Sequence, residues 1–234
     1  SGKMTVIRIM DGNYGGASAN VHTGSGDNYT GSRVAGLVDD DNARSFTLNT
    51  VADGAIMNNS GALDQTNHIL LSGSAANIRW EIGSVNPSKG TFSLLIRAGN
   101  DTSKRKQVRE TWNNLSLDPN SSNYISKMIG DSFASIQGSG GSDPYIKYVG
   151  SYSNKSKYVY VSNVKDTIDY INENGDLSNG DYSASLPGLS SGSFGGSFSG
   201  GTNGVAGFDS FGNLSTSSTA PGITTAYSFF DSIG

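Results

Sequence analysis

The sequence predicts a β-rich α+β fold, with antiparallel sheets arranged as a barrel or a sandwich and about three short helices. Several short runs alternate apolar and polar side chains, as half-buried strands do. The 32 glycines are about twice as frequent as in an average protein, and serine and asparagine are abundant as well. Glycine and asparagine tolerate the positive φ angles of tight turns, so this composition favours many strands joined by turns.

Strand patterns occupy the first half of the chain. They lie at residues 4–10, 44–51, 68–72, 78–82 and 91–98. Within the fourth run, Ile78, Trp80 and Ile82 share one face, whereas Arg79 and Glu81 share the other. A short loop containing proline and glycine separates the last two runs, so we expect them to be neighbouring antiparallel strands.

A change of period after the fifth strand predicts the first helix. Residues 101–103 form a plausible N-cap region, and Val108, Trp112 and Leu115 then recur at helical spacing. The densest basic run of the chain falls on the same stretch. We interpret that run as the solvated face of the predicted helix.

Two further helices are expected in the middle of the chain. Residues 121–129 carry an apolar stripe that includes Tyr124 and Ile125, and Gly130 is suited to the position just after a helix. Residues 164–174 also place apolar side chains at helical spacing. Strand patterns resume at 145–149 and 157–162.

The chain divides by composition into two parts. Residues 1–185 are the expected β-rich region, with room for two subdomains, one nested in the other. Residues 186–234 begin as a glycine- and serine-rich segment with little periodicity. An apolar segment at 226–234 leads us to expect that the natural protein continues.

The composition argues against several classes of function. The formal charge is −4 and no long basic run occurs, which argues against a nucleic-acid partner. No run approaches the about 20 apolar residues that span a bilayer, so no membrane partner is expected. The absence of cysteine excludes disulfides and thiolate metal sites.

Catalytic patterns are likewise missing from the sequence. The two histidines, His22 and His68, lie in different segments without a nearby glutamate. The acidic run at 39–41 lacks the spacing of a calcium loop, and no glycine-rich stretch continues as a phosphate-binding loop. We therefore predict a protein that is not an enzyme, with no catalytic residues, no metal site and no cofactor.

A specific resemblance begins at residue 90. A strand ending near Arg97 is followed by a basic stretch, by Trp112, by the sequence NLSLDPNSSNYI at 114–125, and by Gly130-Asp131. This stretch closely resembles a segment of the contractile tail sheath proteins of large tailed phages, where proline occupies the place of Ser122. The residues that carry the resemblance as a structural motif are Arg97, Trp112, Leu115, Leu117, Asp118, Pro119, Asn120, Tyr124, Ile125 and Gly130.

The resemblance implies a structural role. Sheath subunits form hexameric rings around a tail tube, and they contract to drive the tube into the host by rearranging contacts between subunits. The implied partners are other sheath subunits, together with tube and baseplate proteins for the complete protein. The implied location is the virion, after synthesis in the bacterial cytoplasm. This chain would be a fragment with mostly outer domains, leading toward a missing C-terminal core, and would not polymerise alone.

The main alternative is a carbohydrate-binding β-sandwich of an adhesin. Tyr14, Tyr29, Trp80 and Trp112 would be its stacking residues. The position of Trp80 among alternating aliphatic residues, and of Trp112 on an apolar stripe, favours core roles for both. A hydrolase is the third and weakest alternative.

Overall fold

The computed structural model describes residues 14–23, 44–59, 69–102, 104–137, 145–188 and 196–203. The strands in these residues are β1 (Tyr14–His22), β2 (Arg44–Asp53), β3 (Ile78–Asn86), β4 (Thr91–Ala98), β5 (Val108–Ser116), β6 (Phe133–Gln137), β7 (Tyr145–Val149), β8 (Val159–Ser162) and β9 (Thr202–Asn203). The helical elements are the α-helix α1 (Ile125–Ile129) and two 3-10 helices, Ala55–Met57 and Gly180–Ser185.

All strand pairs of the described residues are antiparallel. One sheet has the order β8-β2-β1-β9, a second has the order β3-β4-β5, and β6 pairs with β7 alone. The prediction of a β-rich α+β chain with antiparallel sheets and few helices is confirmed. The barrel alternative is not supported, because these sheets are open.

The two larger sheets share one apolar core. The alternation of β2 buries Phe46 and Leu48, and that of β4 buries Phe92 and Leu94. The Phe46 and Phe92 rings stack with their centroids 5.6 Å apart. Each such side chain removed from water contributes about 1.5–3 kcal/mol, so this shared core is the main source of stability.

Most of the predicted strands are present. Those predicted at 44–51, 78–82, 91–98, 145–149 and 157–162 correspond to β2, β3, β4, β7 and β8. The expected antiparallel pairing of the runs at 78–82 and 91–98 is confirmed, because β3 pairs with β4 from Ile78↔Ala98 to Asn86↔Thr91. The strand predicted at 68–72 is wrong for its described part, where one bridging residue, Leu70, begins a turn. The strand predicted at 4–10 lies outside the described residues.

Two of the three helix predictions are wrong. The first falls on β5, whose Trp112 lies opposite Leu94 of β4. Residues four apart share a face in a strand as well as in a helix, so the spacing of Val108 and Trp112 did not decide the period. The third falls on loops and turns, and within it Asp169 has a φ angle of 53° that a right-handed helix excludes.

The second helix prediction is correct in kind but too long. The helix starts at Ile125 rather than at Ser121, because residues 118–124 form turns. Gly130 follows it with a φ of 112° and donates its N–H to the carbonyl oxygen of Ser126. This confirms Gly130 as the residue that ends the helix.

Two connecting segments join the larger sheets at their edges. Helix α1 contacts β5 of one sheet and β8 of the other. Residues 196–203, which we call the clip, pair with β1 and also bridge to Trp80 of β3. Leu186 and Phe198, which come after residue 185, lie buried in the shared core. The division at 185 stays a prediction.

Replacing Phe46 with alanine tests the importance of the shared core. We expect Phe46→Ala to lower the free energy of unfolding by about 3–5 kcal/mol, because the cavity also removes the contact with Phe92. Urea denaturation followed by circular dichroism measures the loss. Val51→Ala is the matched control, since Val51 lies on the same strand and is 45% exposed. An equal loss in both variants would contradict the assignment.

Candidate functional site

The residues singled out by the sequence fall into two neighbourhoods. Arg97 belongs to a buried group of charged side chains, which we call the ionic cluster. Most of the others lie in residues 115–130, which we call the brace. The ionic cluster consists of Arg79, Glu81, Arg97, Asp101 and Lys106.

Arg97 is the centre of the ionic cluster. Its side chain is fully buried, and its Nε lies 2.7 Å from Oδ2 of Asp101. Its Nη2 donates to the second oxygen of Asp101 at 2.9 Å, while Nη1 donates to Oε2 of Glu81 at 2.8 Å. A planar guanidinium suits this two-pronged contact with a carboxylate, which the point charge of lysine could not reproduce.

A second buried arginine shares the same carboxylate. Arg79 lies directly opposite Arg97 in the β3–β4 register, and its Nη1 is 3.2 Å from Oδ1 of Asp101. Burial and the neighbouring Arg97 cation lower the pKa of Arg79, and the two carboxylates of the cluster oppose that change. Asp101 therefore holds together two cations that would otherwise repel each other across the sheet.

The ionic cluster fixes the loop between β4 and β5. Asp101 also accepts a hydrogen bond from the backbone N–H of Gln107 at 2.9 Å. Lys106, which is about one third exposed, reaches Oε1 of Glu81 at 2.7 Å. Both carboxylates thus bind cations, and Asp101 also binds loop backbone, an arrangement suited to holding a loop in place rather than to transferring protons.

The brace begins with two buried leucines and a turn. Leu115 and Leu117 are fully buried in the shared core. Oδ1 of Asp118 accepts from the backbone N–H of Asn120 at 2.9 Å, which is the local bond of an Asx turn. Oδ2 of the same carboxylate accepts from the backbone N–H of Tyr170 at 3.2 Å, so the turn also holds a distant loop.

The middle of the brace is fixed by a lysine and an asparagine. Nζ of Lys127 donates to the carbonyl oxygens of Pro119 and Ser121 at 2.6 and 3.2 Å. The side-chain amide of Asn120 donates to Asp169 at 3.1 Å. Pro119 and Asn120 therefore act through a backbone carbonyl group and a side-chain amide group, respectively.

Tyr124 and Ile125 anchor the helix that follows. Ile125 is fully buried, and the Tyr124 ring meets the Tyr152 ring edge-on with centroids 6.2 Å apart. The Tyr124 hydroxyl donates to Oδ1 of Asp166 at 2.8 Å. Burial, together with the nearby Asp166 carboxylate, raises the pKa of Tyr124 to about 12.

The brace joins the two larger sheets. At its start, the backbone N–H of Ser116 in β5 donates to the carbonyl oxygen of Asn123 at 2.9 Å. At its end, the carbonyl oxygen of Gly130 accepts from Val161 of β8, also at 2.9 Å. A Cβ atom at Gly130 would lie 2.3 Å from Cα of Asn154, so only glycine permits this approach.

Trp112 lies apart from the brace, on β5. It is half-buried, and its Nε1 donates to Oε2 of Glu110 at 3.2 Å. Glu110 also accepts from the Ser156 hydroxyl at 2.6 Å and from the backbone N–H of Lys157 at 2.9 Å. Sequence reasoning gave Glu110 no role, because none of its partners lies near it along the chain except Trp112.

Sequence reasoning also missed the other members of the ionic cluster. It placed Arg79 and Glu81 on the polar face of a strand but gave them no partners, and it assigned Asp101 to a helix cap. The alternation of a positive and a negative side chain on β3, opposite an arginine on β4, was the available signal.

The β6–β7 pair presents an exposed apolar face. The pairing of Ala134 with Tyr148 and of Ile136 with Ile146 puts these four positions on one face. Tyr148 is 76% exposed and Ile146 is 67% exposed. On the other face, Phe133 stacks on Tyr160 of β8 at 5.7 Å. We call the first of these two faces the outer hairpin face.

The four residues suggested for sugar stacking do not share one environment. Trp80 is only 5% exposed and lies in the core, and Trp112 is half-buried. The side chain of Tyr14, and all of Tyr29, lie outside the described residues. The structure thus brings no pair of these four residues together on a described surface.

The described ranges contain neither a candidate metal cluster nor a candidate membrane-spanning helix. Among those residues, no group of three or more His, Cys, Asp or Glu side chains could hold a metal ion. No helix in the same ranges combines the length and the apolar character needed to cross a membrane.

Comparison with protein-family models, with curated proteins and with solved structures finds no match to this chain. The likeness to tail sheath proteins therefore depends on the sequence of residues 90–131, and it stays a prediction. What the structure adds is the environment of each residue that carries this likeness.

Asp101→Asn tests the ionic cluster. The substitution preserves volume but leaves Arg79 and Arg97 without their shared negative charge, so we expect a loss of about 3–5 kcal/mol in the free energy of unfolding. Urea is the suitable denaturant because it does not screen charge. Asp176→Asn removes an exposed carboxylate for which no ion pair is seen in the described residues, and it should cost less than about 1 kcal/mol. A loss below that value for Asp101→Asn would show that the two buried arginines do not depend on the charge of Asp101.

The raised pKa of Tyr124 predicts a stability change at high pH. The unfolded tyrosine loses its proton near pH 10, whereas the folded one keeps it until about pH 12. The unfolded state therefore binds fewer protons in this interval, and stability falls as the pH rises from 10 to 12. The slope should approach about 1.4 kcal/mol per pH unit at most.

Tyr124→Phe is the matched comparison for that pH dependence. Its stability should be lower at pH 8, because the hydrogen bond to Asp166 is gone, but it should fall less steeply above pH 10. Urea unfolding at a series of pH values, with both proteins side by side, measures the two slopes. Parallel curves would contradict the assignment.

Proposed function

We propose that this chain is the outer structural region of a contractile tail sheath subunit, which assembles with copies of itself around a tail tube. The sequence support is the likeness of residues 90–131 to that family. The same residues form the brace and contribute Arg97 to the ionic cluster. A role in holding a subunit rigid suits their geometry, since their polar groups bind the protein's own backbone and side chains.

The observation that carries the proposal is the outer hairpin face. Every residue of β7 is exposed, and two large side chains of this face, Tyr148 and Ile146, are 76% and 67% exposed. Two strands alone are marginally stable in water, and exposed apolar patches mark contacts with other proteins. Another subunit that covers Ile146 and Tyr148 would supply the missing burial.

The rest of the architecture fits a body that transmits force. We infer that the two larger sheets form an open sandwich, whose edges are joined by the brace and by the clip. Contraction in such an assembly changes the contacts between subunits and leaves each subunit intact. In the complete protein the further partners would be tube and baseplate proteins, within the virion.

Electron microscopy of the complete subunit that contains this sequence tests the proposal. We expect hexameric rings or long tubes. The double variant Ile146→Glu/Tyr148→Glu should leave only small species in sedimentation velocity, because the charges oppose burial of the outer hairpin face. The stability of the variant should not change, since both side chains are exposed.

Lys147→Glu is the matched control, because Lys147 lies between the two changed residues but points to the opposite face. It should assemble as the unchanged protein does. Assembly of the double variant would exclude the outer hairpin face as a contact. A complete protein that stays monomeric, or a chain that binds defined sugars on a glycan array, would overturn the sheath proposal and favour the adhesin alternative.

A further inference from the structure

The clip closes one edge of the structure by pairing with both sheets. Ser18 of β1 and Ser199 exchange two backbone hydrogen bonds, at 2.8 and 2.9 Å. Three residues earlier, Gly196 pairs with Trp80 of β3, whose N–H donates to the Gly196 carbonyl oxygen at 3.2 Å. An extended segment thus fills the groove between the edges of β1 and β3.

One aromatic side chain and one asparagine hold the clip in this groove. Phe198 is fully buried in the shared core. The backbone N–H of Phe198 donates to Oδ1 of Asn59 at 2.7 Å, and the N–H of Asn59 donates to the Phe198 carbonyl oxygen at 2.9 Å. Asn59 binds only the backbone of Phe198, which any residue could provide. The phenylalanine side chain and the glycines around it therefore determine which segment fits the groove.

The groove requires glycine two residues before the phenylalanine. A Cβ atom at Gly196 would lie 1.7 Å from Cε2 of Trp80, so no other residue fits there without moving the indole ring. Gly200, two residues after the phenylalanine, has a φ of 87°, which also favours glycine. The groove is therefore built for the pattern Gly-Ser-Phe-x-Gly.

The sequence contains this pattern twice. Residues 192–196 are Gly-Ser-Phe-Gly-Gly, and residues 196–200 are Gly-Ser-Phe-Ser-Gly. The two copies are offset by four residues. Because side chains alternate with a period of two, an even offset leaves each residue on its original face of the strand.

We propose that the groove between β1 and β3 accepts either copy, so that the clip has a second register shifted by four residues. In that register Gly192 lies against Trp80, Phe194 takes the pocket of Phe198, and Gly196 takes the place of Gly200. The occupant is this chain's own residues 192–199. Residues 192–195 lie outside the described ones and enter this proposal through their sequence alone.

The intervening chain is long enough for the shift. The N–H of Gly188 donates to the carbonyl oxygen of His22 at 3.0 Å, and the clip is fixed again at Ser18. Four residues of β1 separate these two points, which is about 13 Å. With residue 195 opposite Ser18, seven steps of chain lead there from Gly188 and can reach about 23 Å.

Gly201 selects the observed register. The shift would put Ser197 in its place, where a Cβ atom lies 2.5 Å from the carbonyl oxygen of Gly54. It would also put Phe198 in the place of Thr202, which is exposed. Both effects make the shifted register less stable than the observed one, but neither prevents it from forming.

Engineered disulfides test the second register, since the chain has no cysteine of its own. Ser18→Cys combined with Ser199→Cys should crosslink fully, because the Cα atoms of a hydrogen-bonded antiparallel pair are about 5.5 Å apart, which a disulfide can span. Ser18→Cys with Gly195→Cys should crosslink partly, and adding Gly201→Ser should increase that fraction several-fold. The readout is the crosslinked monomer after mild oxidation, by mass spectrometry.

Ser18→Cys with Ser197→Cys is the matched control. Only a two-residue shift would join this pair, and that shift puts Phe194 against Trp80 where glycine is required. Fraying of the clip would favour position 197 over position 195, because 197 is nearer to 199. Crosslinking at 195 that does not exceed that at 197 would overturn the proposal, and so would a crosslinked dimer in place of the monomer.

A second measurement does not depend on oxidation. Phe194→Ala alone is the reference, and the loss of urea midpoint in the variant lacking both phenylalanines should exceed the sum of the two single losses. Phe198→Ala should lower the midpoint, and the variant lacking both phenylalanines should lower it clearly further, because Phe194 can no longer enter the pocket. Equal midpoints for Phe198→Ala and the double variant would show that Phe194 does not replace Phe198.

Discussion

The two larger sheets can bury their apolar faces only against each other, and the rest of the structure is arranged around that constraint. Phe46 and Phe92 stack at the centre of the shared core. Both sheets are open, so each leaves edge strands whose backbone groups need partners. The brace meets this need between β5 and β8, and the clip meets it between β1 and β3. Short irregular segments thereby make one body of two sheets.

Charge plays a different part, on the face of the β3–β4 pair away from the core. Two buried arginines opposite each other would repel, and Asp101 binds both. Burying ions costs more than their attraction returns unless their hydrogen bonds are satisfied, so the cluster specifies the path of the β4–β5 loop more than it adds stability. Both proposals depend on the resulting rigidity of the sheets. A contact between subunits, or the register of the clip, can change cleanly only if the sheets that it contacts keep their shape.

Where the prediction from sequence succeeded, a single period was sufficient. Strands β2, β3 and β4 alternate apolar and polar side chains over most of their length, and the residues that they turn to the core follow from that alternation, although much of the opposite face is buried as well. The brace shows the opposite limit. The turn at Asp118 and the end of the helix at Gly130 follow from local chemistry. The start of the helix does not, because turns held by Asp118 and Lys127 occupy the residues before Ile125.

The sequence by itself determined that this chain forms antiparallel strands with glycine at its turns, and which side chains those strands turn to the core. These properties depend only on residue type and on neighbours along the chain, so they can be predicted without knowing the tertiary structure. Only the tertiary structure decided that residues 108–116 are a strand rather than a helix, since β4 supplies their backbone partners. It also decided that Asp101 joins two arginines and that Phe198 closes the core, because these contacts unite residues distant in sequence.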